Sequence, residues 1–238
     1  MKKVLSIIIP AFNEAKSIKS VLQKIPQFSQ LTLKVFVIDD GSTDNTSELA
    51  SKSGAIVISN PKNLGLGISF KVGLYHALEQ GSEIIVILDG DGQYNPHNIG
   101  ELINPLLNNE SDLVIGNRFL NKSISEMSII KGTANRIISI FISKILLLLN
   151  ENYDVQSSFR AFNKNFGKFL YQKLEGKYNY AQEMFIIAIL FRYKITQIPV
   201  KCYKRTYGKS KLIKSPLIHL FKILYITFKT YFKITIFH

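Results

Sequence analysis

A run of five apolar residues, Ile84 to Leu88, constrains the fold of this chain more than any other stretch. An unbroken, mostly β-branched run of this length is typical of a strand that is buried on both faces of a sheet. The run ends at the sequence DGDGQ, which places Asp89, Asp91 and Gln93 at alternate positions. In open α/β sheets, ligands bind beyond the carboxyl ends of the strands. The stretch therefore predicts an α/β fold with a ligand site at this strand end.

The side chains at this strand end suit a divalent metal ion. Carboxylate and amide oxygens are hard ligands, and Mg²⁺ is commonly held by one or two carboxylates together with substrate phosphates. Asp89, Asp91 and Gln93 are therefore candidate ligands for Mg²⁺ or Mn²⁺, and Gly90 leaves room for a bulky ligand to approach the backbone. Asp and Gly are also ordinary turn residues, so a plain polar turn is the alternative.

Strands and helices alternate along the first half of the chain. Predicted strands cover residues 4–9, 34–38, 55–59, 84–88 and 113–115, and a predicted helix follows each of the first four. This alternation predicts a mostly parallel, Rossmann-like sheet flanked by helices. Polar residues recur where the strands end, among them Glu14, Asp40 and Arg118, so they are expected to line one edge of the sheet. Ser42 or Thr43 is expected to cap the second helix.

Composition and missing motifs exclude several classes of protein. The 238-residue chain is 46% hydrophobic, which is enough for a substantial core, and its single cysteine excludes an internal disulfide and fits a reducing compartment. The apolar N-terminus is broken by Pro10 and has no small-residue cleavage site, so it is interpreted as a strand rather than a signal peptide. The chain contains no G-x-x-x-x-G-K-[ST] phosphate loop and no complete dinucleotide fingerprint, which disfavours nucleoside triphosphate hydrolysis and nicotinamide chemistry.

The C-terminal part carries most of the basic charge. The formal net charge is +13, and eleven Lys and Arg but no acidic residue follow Glu183. Lys222, Lys229 and Lys233 are spaced to share one stripe of a helix whose other positions are mostly Leu, Ile and Phe. This predicts an amphipathic helix on a membrane surface, with docking on the protein's own core as the alternative. The aromatic residues interleave with Leu and Ile rather than forming a stacking surface, so no nucleic acid partner is expected.

A second apolar stretch lies in the middle of the chain. Residues 129–149 are predicted to form one long helix whose apolar second half is interrupted by Lys144 and is too short to span a bilayer. It is expected to be a core helix or one that lies in the membrane interface. A short strand is predicted within residues 154–162, followed by helices near 164–174 and 180–191 and a strand at 194–200.

Six motifs occur in order along the chain: IIIPAFNE, VIDDGSTDNT, LDGDGQYNP, GNRF, DVQSSFRAF and RTYGKSK. Together they resemble the family 2 glycosyltransferases of GT-A fold, and most nearly the branch with dolichyl-phosphate mannose synthases and bacterial polyprenyl-phosphate glycosyltransferases. The resemblance runs from Ser6 to Lys211, so residues 1–211 are expected to be the catalytic domain and 212–238 a membrane-associating tail. It implies an inverting hexosyltransferase that moves a sugar from GDP-mannose or a UDP-hexose to dolichyl or undecaprenyl phosphate.

The resemblance also implies roles for particular residues. Those expected to contact the nucleoside are Pro10, Phe12, Glu14, Ile38 and Asp40. Those expected to hold the metal and the donor diphosphate are Asp89, Asp91 and Gln93, and those expected to bind the donor without contacting the metal are Gly90, Arg205 and Lys211. Those expected to receive the acceptor phosphate are Arg118 and Arg136, and the catalytic group comprises Asp89, Asp91 and Arg118. Ser158 departs from the family, which usually has glycine there, and this leaves the tightness of that turn open.

The type of acceptor decides whether a protein base is needed. A phosphate monoester has a second pKa of about 6 and is mostly dianionic at neutral pH. A sugar hydroxyl needs a base, and the acids beyond Glu151 are Asp154 and Glu183. Asp154 is expected to orient Arg160, a further candidate phosphate partner, and Glu183 to lie on the polar side of a helix.

Three readings of the function stay open at this point. The leading one is a peripheral enzyme at the cytoplasmic side of a membrane, either alone or with a membrane-protein subunit, because many relatives continue into transmembrane helices. The first alternative is a family 2 transferase that acts on a glycan hydroxyl. The second is a non-enzymatic module that binds a membrane or a nucleic acid.

Overall fold

Seven strands form one sheet in the part of the chain that the computed structural model describes, namely residues 2–120, 129–175 and 179–207 with 225, 227–229 and 231–232. The strands are β1 (Lys3–Ala11), β2 (Leu31–Asp39), β3 (Ile56–Ser59), β4 (Ile84–Ile87), β5 (Leu113–Asn117), β6 (Arg160–Asn163) and β7 (Ile195–Pro199). The helices are α1 (Ile18–Gln23), α2 (Thr46–Lys52), α3 (Leu66–Glu79), α4 (Ile99–Leu107), α5 (Ile129–Ile140), α6 (Lys164–Lys173) and α7 (Tyr180–Leu190). A 3₁₀ turn (Pro96–Asn98) precedes α4, and a π-helical segment (Phe141–Leu146) follows α5.

The strand order is β3-β2-β1-β4-β6-β5-β7. Every neighbouring pair is parallel except those of β6, which runs antiparallel to both β4 and β5. The predicted mostly parallel α/β sheet with flanking helices is confirmed, whereas the direction of β6 was not predicted. Because β1 and β4 are parallel neighbours, the residues that follow them meet at one edge of the sheet.

The core lies on both faces of the sheet. All four residues of β4 are buried, and Ile85 and Ile87 enter one apolar cluster while Ile84 and Val86 enter the other. This division follows from the alternation of side chains along a strand. Full burial of each such side chain stabilises the fold by about 1.5–3 kcal/mol relative to exposure. The interpretation of this run as a strand buried on both faces is confirmed.

The helix predicted over residues 129–149 is divided in the structure. The α-helical part ends at Ile140, and the π-helical segment continues to Leu146. Leu148 then has a φ of 52°, in the left-handed region that few non-glycine residues occupy, and this backbone conformation takes the chain out of the helix.

The start of α2 also differs from the prediction. Neither Ser42 nor Thr43 is the cap, because α2 begins at Thr46 and its N-cap position is Asn45. At its other end, Gly54 lies just beyond the last turn at a φ of 86°, a conformation that commonly ends a helix.

The described part of the C-terminal tail contacts the protein body. Thr227 is fully buried, and its hydroxyl accepts a hydrogen bond from the side-chain amide of Gln182 on α7. Lys229 forms an ion pair with Glu175 at 2.8 Å. These contacts agree with the alternative that the tail docks on the core. Most of residues 212–238, including Lys222 and Lys233, lie outside the described residues. In the described ranges, none of the helices has both the length and the apolar character needed to cross a bilayer.

Candidate active site

Two carboxylates and a guanidinium meet where β1 and β4 end. Nη1 of Arg205 lies 3.5 Å from Oδ2 of Asp91, and Nη2 of the same side chain donates to Oε1 of Glu14. All three side chains are less than one fifth exposed. The structure thus brings together an acid from the β1 motif, an acid from the β4 motif and an arginine from the RTYGKSK motif. This cluster, Glu14, Asp91 and Arg205 with the adjacent Asp89, is referred to below as the acidic rim.

Asp89 is hydrogen-bonded by a serine from the loop before β6. Its Oδ2 accepts a hydrogen bond from the hydroxyl of Ser158. Burial, and then the nearby carboxylate of Asp91, raise the pKa of Asp89 to about 7, and burial also raises the pKa of Asp91. Carboxylates in this situation need a nearby cation to be ionised together. The electrostatics of the rim therefore favour binding of a positive ligand.

Gln93 completes a donor set that fits Mg²⁺ or Mn²⁺. Its Nε2 donates to the carbonyl of Tyr203 at 3.1 Å, which leaves the amide oxygen as the atom of this side chain able to bind a cation. Its backbone N–H donates to Oδ1 of Asp91 at 3.0 Å. Within the described residues, no group of three His, Cys, Asp or Glu forms a metal site. Two carboxylates and an amide oxygen, with substrate oxygens and water in the other positions, match the way Mg²⁺ is usually bound.

Arg118 is buried in an ion pair with Asp154. Its Nε and Nη2 donate to the two carboxylate oxygens at 2.6 and 2.8 Å, and its backbone N–H donates to Oδ2 at 3.1 Å. Burial alone would lower the pKa of Arg118, but the Asp154 carboxylate outweighs burial and keeps that pKa above its ordinary value. The expectation that Asp154 orients Arg160 is wrong for its side chain, since Arg160 reaches only the backbone carbonyl of Asp154, at 3.5 Å. Two side-chain N–H groups of Arg118 and its backbone N–H therefore donate to Asp154.

Arg160 is not placed to bind a phosphate. It is completely buried, and burial lowers its pKa to about 10. Its guanidinium donates to the backbone carbonyls of Ser157 at 2.8 Å, of Val155 at 2.9 Å and of Ala181. Arg160 thus fastens the loop before β6 to the start of α7.

Asp40 anchors a loop. Its Oδ1 accepts from the side chain of Asn60 at 2.8 Å and from the backbone N–H of Leu64 at 2.9 Å, and its Oδ2 accepts from the N–H of Gly65 at 2.8 Å. A carboxylate offers about four acceptor positions, so most of those of Asp40 are used. The predicted contact of Asp40 with a nucleoside stays a prediction. It would have to use the acceptor position of the carboxylate that these hydrogen bonds leave over.

The other predicted nucleoside contacts differ in accessibility. Pro10 and Ile38 are buried, and Ile38 lies beside Gly73 of α3 in the core. Phe12 and Glu14 are partly exposed. Of the four, Phe12 and Glu14 are therefore the ones that a ligand could reach without movement of the chain.

Two predicted site residues are not seen at the rim. Lys211 lies outside the described residues. Arg136 is exposed on α5, and in the described part of the chain no hydrogen bond or ion pair joins it to the rim.

Two serines at the rim were not identified from the sequence. The hydroxyl of Ser17 donates to the carbonyl of Gly90 at 2.8 Å and lies 3.2 Å from Oε2 of Glu14. The spacing of Glu14 and Ser17, three residues apart at a helix start, was a usable signal. Ser158 gave no local signal, because Asp89 is 69 residues away.

The rim borders a cleft of about 530 Å³. Its walls include Ser17 and Val21 near the start of α1, Asp91 and Tyr94 after β4, and Tyr203 and Tyr207 beyond β7. Clefts of this volume are typical of small-molecule and cofactor sites. Asp91 is the residue of the acidic rim that lines this cleft, so a ligand bound there can reach its carboxylate.

A mixed sheet of this order, with carboxylates gathered where β1 and β4 end, defines the class: a glycosyltransferase of GT-A fold. The chain belongs to glycosyl transferase family 2, whose family model matches residues 6–168. The predicted family and fold are confirmed.

Two relatives with similar sequences have names that state transfer to dolichyl phosphate. A UDP-N-acetylglucosamine–dolichyl-phosphate N-acetylglucosaminyltransferase from Methanococcus voltae is 32% identical over 230 residues, covering 88% of this chain and 89% of that protein. A dolichyl-phosphate beta-glucosyltransferase from Trichomonas vaginalis is 25% identical over 227 residues, covering 87% of this chain and 68% of that protein.

A solved structure shares the fold. Glucosyl-3-phosphoglycerate synthase from Mycobacterium tuberculosis, crystallised with Mn²⁺, UDP-glucose and phosphoglyceric acid, superposes with a TM-score of 0.70 over 97% of this chain and 79% of its own. The two sequences are 23% identical, so this likeness concerns the fold alone.

Proposed function

We propose that this chain transfers a monosaccharide from a nucleotide sugar to a polyprenyl phosphate such as dolichyl phosphate, with Mg²⁺ or Mn²⁺ as the cofactor. The observation that carries the proposal is the acidic rim, where Asp89, Asp91 and Glu14 gather around Arg205 at the edge of the sheet. The names of the relatives support a dolichyl phosphate acceptor, and the Methanococcus name supports a UDP-hexose rather than GDP-mannose as donor. The structure that shares the fold was crystallised with Mn²⁺ and a UDP-sugar.

Different residues at the rim would bind the metal ion and the donor diphosphate. Asp89, Asp91 and the amide oxygen of Gln93 would hold the metal ion, which when bound neutralises charge on the leaving diphosphate. Arg205 already balances the charge of Glu14 and Asp91. A guanidinium can bind phosphate through two parallel hydrogen bonds, so Arg205 is placed to bind a diphosphate oxygen beside the metal.

The surroundings of the two candidate bases, Asp154 and Glu183, favour a phosphate acceptor. The carboxylate of Asp154 is fully buried and paired with Arg118. Glu183 is 5% exposed, rather than on a polar helix face as expected, and its Oε1 accepts the backbone N–H of Glu175 at 2.6 Å. Both carboxylates are therefore engaged away from solvent. A phosphate monoester needs no such base, whereas a glycan hydroxyl does.

Exposed apolar side chains support attachment to a membrane surface. They lie on α5, on the π-helical segment, just after that segment and in the described part of the tail, and they include Ile137, Ile140, Ile145, Leu148, Phe228 and Phe232. The rings of Phe141 and Phe228 lie 6.5 Å apart, so the tail and the π-helical segment contribute to one surface. This apolar surface, together with the basic tail, suits a bilayer with anionic headgroups. We propose that the enzyme is a peripheral membrane protein, and the expectation that it lies at the cytoplasmic side, with or without a membrane subunit, stays a prediction.

The transfer itself is tested with purified protein, Mn²⁺ and a short-chain polyprenyl phosphate. Labelled UDP-sugars and GDP-mannose are supplied in parallel, and the label is followed into the organic phase. We expect a labelled lipid with at least one UDP-sugar, and none with the Asp91→Asn variant. Label transferred to a saccharide acceptor but not to the lipid would establish the glycan-hydroxyl alternative instead.

The membrane surface is tested by flotation with anionic liposomes. Leu148→Glu places a charge on the apolar surface, and Ile56→Glu places the same charge at a 47% exposed isoleucine on β3. We expect Leu148→Glu to reduce flotation and Ile56→Glu to leave it unchanged. Equal flotation of both variants and the wild type would contradict the proposed membrane face.

A further inference from the structure

Ser158 occupies a position where the family usually has glycine, and the backbone explains why serine is tolerated. In the described part of the chain, the non-glycine residues in the left-handed region are Asn13, Asn109, Leu148 and Arg192. Ser158 is not among them, so its backbone conformation does not require glycine. The turn is therefore compatible with a side chain, and the hydroxyl of that side chain can contact a neighbouring residue of the site.

The side chain of Ser158 is directed at Asp89. Its hydroxyl donates to Oδ2 of Asp89, across 69 residues of sequence. A carboxylate with one oxygen held by a hydrogen bond cannot turn freely about its last torsion. Oδ1 of Asp89 is then the oxygen that remains for a ligand at the rim.

The segment that carries Ser158, residues 154–160, is held by several contacts. Arg160 binds the carbonyls of Val155 and Ser157 from within the segment. The ring of Phe159 stacks on Tyr94, with centroids 5.1 Å apart. The backbone on both sides of Ser158 is thus held by contacts that do not involve Asp89.

The same segment also reaches the other side of the site. Its first residue, Asp154, holds Arg118 through both carboxylate oxygens, and its fifth, Ser158, holds Asp89. A short piece of chain therefore sets the spacing between an arginine expected to meet the acceptor and an acid expected to meet the metal.

We propose that Ser158 is a positioning residue of the metal site, whose hydroxyl fixes the Asp89 carboxylate so that one oxygen faces the divalent ion. The inference rests on the metal site of the proposed function, but not on the identity of the donor or the acceptor. A family member with glycine at this position lacks the hydroxyl and would have to orient the equivalent acid in another way.

The test is a titration of the full chain with Mn²⁺ alone, at one fixed pH, with free Mn²⁺ followed by electron paramagnetic resonance. The variants are Ser158→Ala, Ser158→Gly and Ser158→Thr, which keeps the hydroxyl. Ser157→Ala is the matched control, because the neighbouring hydroxyl lies 3.3 Å from that of Tyr94 and not at Asp89. We expect Ser158→Ala and Ser158→Gly to weaken Mn²⁺ binding roughly tenfold, since hydrogen bonds to charged groups are the stronger ones. Ser158→Thr and Ser157→Ala are expected to stay within about twofold of the wild type, because neither removes a hydrogen bond to the charged carboxylate.

Each other outcome overturns the inference. The positioning role is refuted if Ser158→Ala binds Mn²⁺ with wild-type affinity, or if Ser157→Ala loses as much Mn²⁺ affinity as Ser158→Ala. It is also refuted if the loss of Mn²⁺ affinity only follows a fall in thermal stability. A wild type that binds no Mn²⁺ would remove it as well. If the wild type binds Mn²⁺, Ser158→Ala weakens that binding and no polyprenyl phosphate is glycosylated, the proposed function fails while the role of Ser158 stands.

Discussion

Replacing Asp154 by alanine is expected to reveal how much of the fold depends on one buried ion pair. The carboxylate is fully buried and accepts hydrogen bonds from the backbone N–H, Nε and Nη2 of Arg118, whose side chain is 7% exposed. Removing it leaves a guanidinium charge in the interior without its counter-charge. Breaking a buried pair in this way costs about 3–5 kcal/mol. Small domains have a free energy of unfolding on the order of 5–15 kcal/mol, so the loss is a large share of the total.

The assay is urea unfolding followed by circular dichroism, with an exposed ion pair as the control. Lys52 and Glu48 are four residues apart on α2, with side chains 71% and 56% exposed. Glu48→Gln is expected to change the free energy of unfolding by no more than about 0.5 kcal/mol. The double variant Asp154→Leu, Arg118→Met should recover most of the stability lost in Asp154→Ala, because apolar replacements of a buried pair are often neutral or stabilising. A loss of less than about 1 kcal/mol in Asp154→Ala, the range of exposed pairs, would refute the reasoning.

Three further results are expected. Asp91→Asn should abolish turnover while its circular dichroism stays that of the wild type; near-normal turnover would remove Asp91 from the metal site. In EDTA, Asp89→Asn should gain stability over the wild type as the pH rises from 3.8 to about 7, because the raised pKa of Asp89 means that folding favours its protonated form. A pH-independent difference in urea unfolding would contradict this. Gly41→Ala should lower the melting temperature more than Gly54→Ala: both glycines have positive φ, but a Cβ at Gly41 would lie 2.6 Å from the backbone of Lys62 and one at Gly54 would meet nothing within 4 Å. Equal losses would show that the loop simply moves aside.

Much of the fold could be predicted because apolar runs report burial. The Ile84 to Leu88 run is uninterrupted, and such a run in an alternating pattern indicates a strand covered on both faces. The direction of β6 could not be predicted, because its four residues carry no sign of which way the chain re-enters the sheet. The cap of α2 was missed for a similar reason: several residues of DGSTDN are good caps, and the hydroxyl of Ser42 is instead taken by the backbone N–H of Asn13.

The site was predictable where it depends on strand ends and not where it depends on distant pairing. Glu14 and Asp91 follow parallel neighbouring strands, so their meeting at one edge follows from topology. The partner of Asp154 was missed because Arg160 is the nearer arginine in sequence, whereas Arg118 is 36 residues away. The loop contacts of Asp40 could not be predicted, because backbone N–H groups in need of an acceptor are invisible in a sequence, and two of them donate to its carboxylate.

β6 follows its neighbour β4 by more than 70 residues in the sequence. This separation affects how truncated forms of the protein behave. In the described sheet, β4 lies between β1 and β6. A polypeptide that stops before Arg160 therefore leaves the open edge of an all-apolar strand in water, which is a template for intermolecular β-pairing. The part of the molecule before Arg160, which carries the acids proposed to bind the metal, is thus expected to aggregate when produced alone. During synthesis on the ribosome, the same edge stays unprotected until Asn163 has emerged.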